Sequence, residues 1–266
     1  MTSEYIRTHA RQVQTSVRRY THPATGRTVT VIGTYHFGKP SYWQSLREMI
    51  DKLEANGAVV YCEGSHRAGT DTGADEQEQE VLDRLHRARE LVNRRTMALG
   101  WTGQIGGLGY PDSWQFVDLS TLEIIRRLGL PLARTIAARQ MRAMDWPDTS
   151  RSGFNRLRLQ IAVMLRVMSS DKRIAKMAAS QPGGDVLIKA REEHVLAEVS
   201  GGDQDAVLIW GLAHLPGLHD GLAALGFQRF GPPQWHTTIR RRPSILSALL
   251  RLVLRWPAPH VPETHQ

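Results

Sequence analysis

Two short apolar runs, Val29-Thr30-Val31-Ile32 and Ala206-Val207-Leu208-Ile209-Trp210, each lead straight into a Gly-x-x-His sequence, Gly33-Thr34-Tyr35-His36 and Gly211-Leu212-Ala213-His214. Runs this brief, rich in β-branched and bulky residues, read as buried strands rather than helices. The glycine marks where each strand stops, at a tight turn whose backbone other residues adopt poorly. Each strand therefore delivers a histidine just past its end.

The chain between and around these motifs alternates strand with helix. Val13 to Tyr20, the turn-rich Thr21 to Gly26 and the Val29 strand read as a hairpin feeding a central strand. Trp43, Leu46, Ile50 and Leu53 fall at helical spacing, with Ser41 as N-cap and Gly57 as C-cap. Ala58-Val59-Val60-Tyr61-Cys62 is a second short strand, ending at Glu63. Strand, helix and strand in this order form a βαβ unit, which implies a parallel pair with a right-handed crossover.

A solvated loop over Thr70 to Glu80 runs into a helix that ends near Gly100, and glycine-rich loop follows from Gly103 to Pro111. Trp114 to Val117 is a third strand, ending at Asp118 before a helix from Thr121 to Leu128. Residues 130–182 are mostly helical and read as an excursion from the sheet, a lid. Gly183-Gly184-Asp185 starts a helix that carries Arg191 and stops at Gly201-Gly202. The second motif strand follows, then a helix from His214 to Leu225, and Trp235 to Ile239 is a last strand. Residues 244–256 form a largely apolar helix behind Arg240-Arg241-Arg242, suited either to an anionic membrane surface or to the chain's own core.

Composition narrows the class. With 266 residues, 41% of them hydrophobic and 23% charged, the chain reads as one globular α/β domain. A net charge of +8 permits anionic partners, but no zinc-finger spacing, aromatic RNA-binding motif or basic zipper accompanies it, so nucleic acid is disfavoured. The single cysteine, Cys62, excludes an internal disulfide framework and points to a reducing cytoplasm. Strand alternation sends Cys62 to the face opposite Glu63, as a small core residue.

In parallel α/β sheets ligands bind beyond the carboxyl ends of the strands. His36, Glu63, Asp118 and His214 all belong there, and Arg191, on the helix before the second motif strand, is placed either to bind a substrate carboxylate or, as is commoner for such an arginine, to face solvent or pair with a neighbouring acid. Two neutral imidazoles with one or two carboxylates suit a divalent ion such as zinc, manganese or cobalt. The same groups without metal supply a general base and its orienting acid for ester or amide hydrolysis. Asp118 divides evenly between a site residue and a helix cap before Ser120-Thr121. His66 is a weaker candidate, and His194 and His219 read as helix-surface residues.

Val31 to His36, Val59 to Glu63, Phe116-Val117-Asp118, Arg191 and Val207 to Gly217 together resemble the TraB, PrgY, GumN and Tiki group of the erythromycin-esterase and ChaN-like superfamily. That resemblance implies a mixed, largely parallel sheet built from two related halves with a helical insertion between them. Tiki members are metal-dependent proteases, which on the matching positions makes His36, Glu63 and His214 the ligands of a manganese, cobalt or zinc ion. The expectation is then a metal-dependent hydrolase of a peptide or modified peptide, with Asp118 and Arg191 as secondary site residues. Erythromycin-esterase relatives use comparable residues without metal, which gives a metal-independent esterase with His36 as base. PrgY and TraB members restrain peptide signalling, which gives a third possibility, a non-catalytic peptide-sequestering or membrane-surface regulator. Tyr35 departs from the family, which has a small residue before the first motif histidine.

Overall fold

The computed structural model describes residues 5–9, 12–64, 72–144, 152–153, 156 and 170–240. The chain opens with β1 (Ile6–His9), β2 (Gln12–Thr21) and β3 (Thr28–Thr34). β1 and β3 lie end to end along one side of β2, both antiparallel to it. After His36 come the two-residue β4 (Phe37–Gly38), helix α1 (Pro40–Ala55) and β5 (Val59–Cys62). Then follow α2 (Glu76–Ala98), β6 (Thr102–Gly103), the short α3 (Gln104–Leu108), β7 (Gln115–Phe116), α4 (Thr121–Leu128) and α5 (Leu130–Met144). The later part holds α6 (Asp171–Ser180), a π-helix (Asp185–Ala190), α7 (Arg191–Gly201) and β8 (Ala206–Gly211). A 3-10 turn (Leu212–His214), α8 (Leu215–Ala224) and β9 (Gln228–Arg240) complete it.

The result is an α/β fold on a seven-stranded mixed sheet, with β3, β8, β5 and β7 running parallel and β1, β2 and β9 antiparallel at one side. Side-chain alternation splits the core between the two faces. Ile32, Val60, Cys62, Val207 and Ile209 meet Tyr42, Trp43, Leu46 and Ile50 of α1 on one face. Val29, Val31, Leu208 and Trp210 meet Val195 and Val199 of α7 and Leu218 and Leu222 of α8 on the other. A separate cluster joins α2, α4 and α5 through Val81, Leu82, Leu122 and Ile125.

Three expectations need correction. β3 and β5 are parallel but not paired, because β8 lies between them, in register with Val29–Thr34 on one side and Val59–Cys62 on the other. A crossover helix leaves enough slack for a third strand to enter. Helix α1 begins at Pro40, with Lys39 rather than Ser41 as N-cap, since proline's fixed φ and missing N–H suit the first helical position. The glycine-rich stretch after Gly103 is helical over Gln104–Leu108. Gly107 leaves Trp43 room to lie against this helix, and the Trp43 Nε1–H donates to the Thr102 carbonyl at 2.8 Å.

Of the 130–182 excursion, α5 and α6 are helical as expected, and most of the chain between them lies outside the described residues, as does the 244–256 helix. Among the described residues no helix is long and apolar enough to cross a membrane.

The motif glycines have a different cause from the one their sequence context indicates. Neither Gly33 nor Gly211 has positive φ. A methyl group on Gly33 would meet Leu215 Cδ1 at 2.5 Å and Leu212 Cδ2 at 3.1 Å, so this glycine makes room for the leucines of the second motif. The substitution Gly33→Ala is expected to cost about 1–3 kcal/mol by overpacking. Gly201→Ala, at a helix end with nothing within 4 Å, is expected to be neutral or slightly stabilising. Urea denaturation of the two variants measures the contrast.

Candidate active site

Parallel pairing of β3, β8, β5 and β7 sets their carboxyl ends side by side, with Thr34 opposite Gly211 and Cys62 opposite both Ile209 and Phe116. The residues just beyond these ends are His36, Glu63, Asp118 and the Leu212–His214 turn. The π-helix runs directly into Arg191. All five residues expected from the sequence therefore converge.

Arg191 is the hub. Its Nε and Nη2 donate to Asp118 Oδ1 and Oδ2 at 2.8 and 2.5 Å, a bidentate fork, and Nη2 also donates to Glu63 Oε1 at 2.8 Å. Nη1 donates to the Leu187 carbonyl of the π-helix at 3.2 Å and lies 3.3 Å from His214 Nε2. Asp118 also accepts the Gly64 and Leu119 backbone N–H groups. It is thus an orienter of Arg191, and the cap of α4 is Ser120, which with Glu123 forms a capping box.

Glu63 is placed by both strands. Its backbone N–H donates to the Ile209 carbonyl, and its Oε2 accepts the Gly211 N–H at 2.5 Å. Its Oε1 lies 3.5 Å from His214 Nε2. Burial alone would raise this carboxyl, but the Arg191 charge, the hydrogen bond from His214 and the charges of both histidines hold it well below the usual carboxylate range.

His214 is 3% exposed, with Nδ1 3.2 Å from Glu192 Oε1 and Nε2 facing Glu63. Burial opposes its protonation, yet hydrogen bonds to Glu192 and Glu63 and the Glu63 charge raise its pKa despite the nearby guanidinium. Nδ1 thus faces a carboxylate, while Nε2 stands between Glu63 Oε1 at 3.5 Å and the Arg191 guanidinium at 3.3 Å.

His36, by contrast, is exposed. Its Nδ1 lies 3.1 Å from Gln104 Oε1, which also accepts the Thr34 hydroxyl at 2.8 Å, while Gln104 Nε2 donates to the Tyr110 hydroxyl at 2.7 Å. This network makes Gln104 Oε1 the acceptor, so His36 Nδ1 carries the proton in that contact. A methyl group on Gly211 would meet His36 Nε2 at 2.8 Å and Glu63 Oε2 at 3.0 Å, so the second motif glycine leaves space for exactly these two groups. Tyr35 packs edge-on against Phe37, which stacks on Trp101, and burial pushes the Tyr35 hydroxyl up to about 12.

Cys62 is fully buried on the opposite face, where burial raises its thiol, followed by the Glu54 charge. His66 lies outside the described residues, while His194 and His219 sit on α7 and α8.

The sequence reading missed Gln104, Tyr110 and Glu192. Gln104 sits in a stretch read as loop, and nothing local distinguishes it. Glu192 had one available signal, a carboxylate adjoining Arg191.

These donors do not fit a divalent ion shared by His36, Glu63 and His214. Glu63 has one oxygen on the Gly211 N–H and the other on a guanidinium, and His214 Nε2 faces that same guanidinium at 3.3 Å. Among the described residues no group of three or more His, Cys, Asp or Glu side chains is arranged to hold a metal. No family model and no curated protein matches the chain.

Breaking this network should be costly. Arg191→Met leaves Asp118 and Glu63 buried without their cation, which is expected to cost about 3–5 kcal/mol in urea denaturation. The loss should shrink as pH falls, because unpaired buried carboxylates have raised pKa values and protonate first.

The intact protein should show its own pH window. Glu63, depressed in the fold, contributes stability above about 4.5 that is lost as pH falls through its lower folded value. His214, raised in the fold, contributes stability that is complete below about 6.5 and lost as pH rises through its folded value. Stability is expected to be greatest between these limits, and His214→Gln should flatten the alkaline decline in urea titrations across pH.

Proposed function

We propose that the protein is a metal-independent hydrolase of an ester or amide, with His36 as general base. The observation that carries this reading is the guanidinium of Arg191, fixed against Glu63 and Asp118 and 3.3 Å from His214 Nε2. A permanently charged side chain in that position supplies the positive charge that hydrolysis of a carbonyl compound requires.

His36 offers an exposed imidazole with a defined tautomer, able to take a proton from water through Nε2 as the water attacks a carbonyl carbon. Glu63, ionised, stabilises the imidazolium that forms on His36. The Arg191 charge stabilises negative charge on the carbonyl oxygen through the field of the site. Glu63, Asp118 and Arg191 do not change protonation state in this scheme; they set the field. The resemblance of the two motifs to the erythromycin-esterase relatives supports the same assignment.

Hydrolysis of p-nitrophenyl acetate and of the matching anilide is the direct test. Activity is expected to survive EDTA, and His36→Ala to lower kcat/KM by about 10²–10⁴ with the circular dichroism spectrum unchanged. Activity abolished by EDTA and restored by manganese, cobalt or zinc would instead establish the metal-dependent peptidase alternative. No turnover of esters, anilides or peptides would leave the non-catalytic, peptide-sequestering reading.

A further inference from the structure

His36 is gripped twice by one residue of α3. The Gln104 backbone N–H donates to the His36 carbonyl at 2.9 Å, and Gln104 Oε1 lies 3.1 Å from His36 Nδ1. Gln104 is 7% exposed, although the imidazole it faces is open to solvent. The helix that delivers this amide is itself held from α1. Trp43 lies against Gly107 and donates to the Thr102 carbonyl, and Arg47 Nη1 donates to the Leu108 carbonyl at 2.8 Å.

Two further contacts fix which way the amide faces. The Thr34 hydroxyl donates to Gln104 Oε1 at 2.8 Å, closer than its other acceptor, the Trp210 carbonyl at 3.2 Å. Gln104 Nε2 donates to the Tyr110 hydroxyl at 2.7 Å. Oε1 therefore spends one lone pair on Thr34 and turns the other to His36 Nδ1.

Tyr110 occupies its place at a conformational cost. Among the described residues it is the only non-glycine with positive φ, at 25°, a backbone that a bulky side chain adopts poorly. Its ring packs edge-on against Trp114 and Phe116. A phenylalanine could make the same ring contacts. What the hydroxyl adds is the bond to Gln104.

We propose that Gln104 is the positioning residue of the general base, holding His36 with its proton on Nδ1 and Nε2 left to act, and that Tyr110 sets the orientation of the amide. The catalytic part of this role rests on the hydrolase reading; the hold on the ring does not. Gln104 and Tyr110 act through His36 and take no proton themselves.

Nitrogen-15 spectra of the histidine side chains read the tautomer without any turnover, on the full chain at about pH 9, above the ordinary histidine range. His36→Ala assigns the signals. The native ring is expected to carry its proton on Nδ1. Gln104→Met removes the acceptor and should shift the population toward the Nε2–H tautomer, with kcat lowered about 10–100-fold and KM little changed. Gln104→Glu, whose carboxylate accepts from Thr34, His36 and Tyr110 alike, should restore the Nδ1–H tautomer. Tyr110→Phe should give a mixture, and it decides the matter if Gln104→Met loses its native circular dichroism. An Nε2–H tautomer in the native protein, or an Nδ1–H tautomer unmoved by Gln104→Met or by Tyr110→Phe, would overturn the proposal. Unchanged kcat in Gln104→Met would also overturn it while leaving the hydrolase in place. An inactive protein with the expected tautomer pattern would keep the hold on His36 and refute only the hydrolase.

Discussion

The site depends on one guanidinium that is never free to leave. Arg191 holds Asp118 at the end of β7 and Glu63 at the end of β5, touches the π-helix at the Leu187 carbonyl and faces His214 after β8. Removing two carboxylates from water is expensive, and a planar fork bonded to both is among the few arrangements that offset the cost. The same cation keeps Glu63 ionised, and ionised Glu63 in turn favours protonation of His214. Charge state, strand-end spacing and orientation of the imidazole are thus fixed together. A substitution at any one of them alters the others.

The second constraint is steric and reciprocal. β3 and β8 are neighbours, and each motif glycine yields space to the opposite motif. Gly33 admits Leu212 and Leu215 of the second motif, and Gly211 admits His36 of the first together with Glu63. Both glycines are therefore explained by what crosses above them, with no demand on left-handed backbone. The placement of β8 between β3 and β5 makes this exchange possible, since it brings Gly211 between the elements that carry His36 and Glu63.

Much of this was legible in the sequence because strand ends are written locally. A β-branched run, its glycine and the polar residue that follows identify a carboxyl end, and parallel pairing then brings such ends together. That logic places His36, Glu63, Asp118 and His214 without any knowledge of the sheet order. It does not give the insertion of β8, because nothing in residues 206–211 records which strands they join. It also misses Gln104, whose position depends on Trp43 lying against Gly107 and on the β4–β6 pairing of Phe37–Gly38 with Thr102–Gly103. Contacts made by distant segments leave no periodic trace. Two histidines and a glutamate define a ligand set by residue type alone, whereas the arginine's reach toward all three carboxyl-end elements is visible only in three dimensions.

The two Gly-x-x-His motifs are alike in sequence and unlike in chemistry, and their surroundings account for the difference. His36 follows β3 into an exposed position, and its one defined partner is a neutral amide. His214 is drawn into a turn, buried, and set between two carboxylates, which favours the doubly protonated ring. Two similar motifs are thus driven apart by environment. The asymmetry originates with Glu192, which has no counterpart beside His36: where that histidine meets the carbonyl oxygen of Gln104, His214 meets a carboxylate. Charge at that one position separates the surroundings of the two imidazoles.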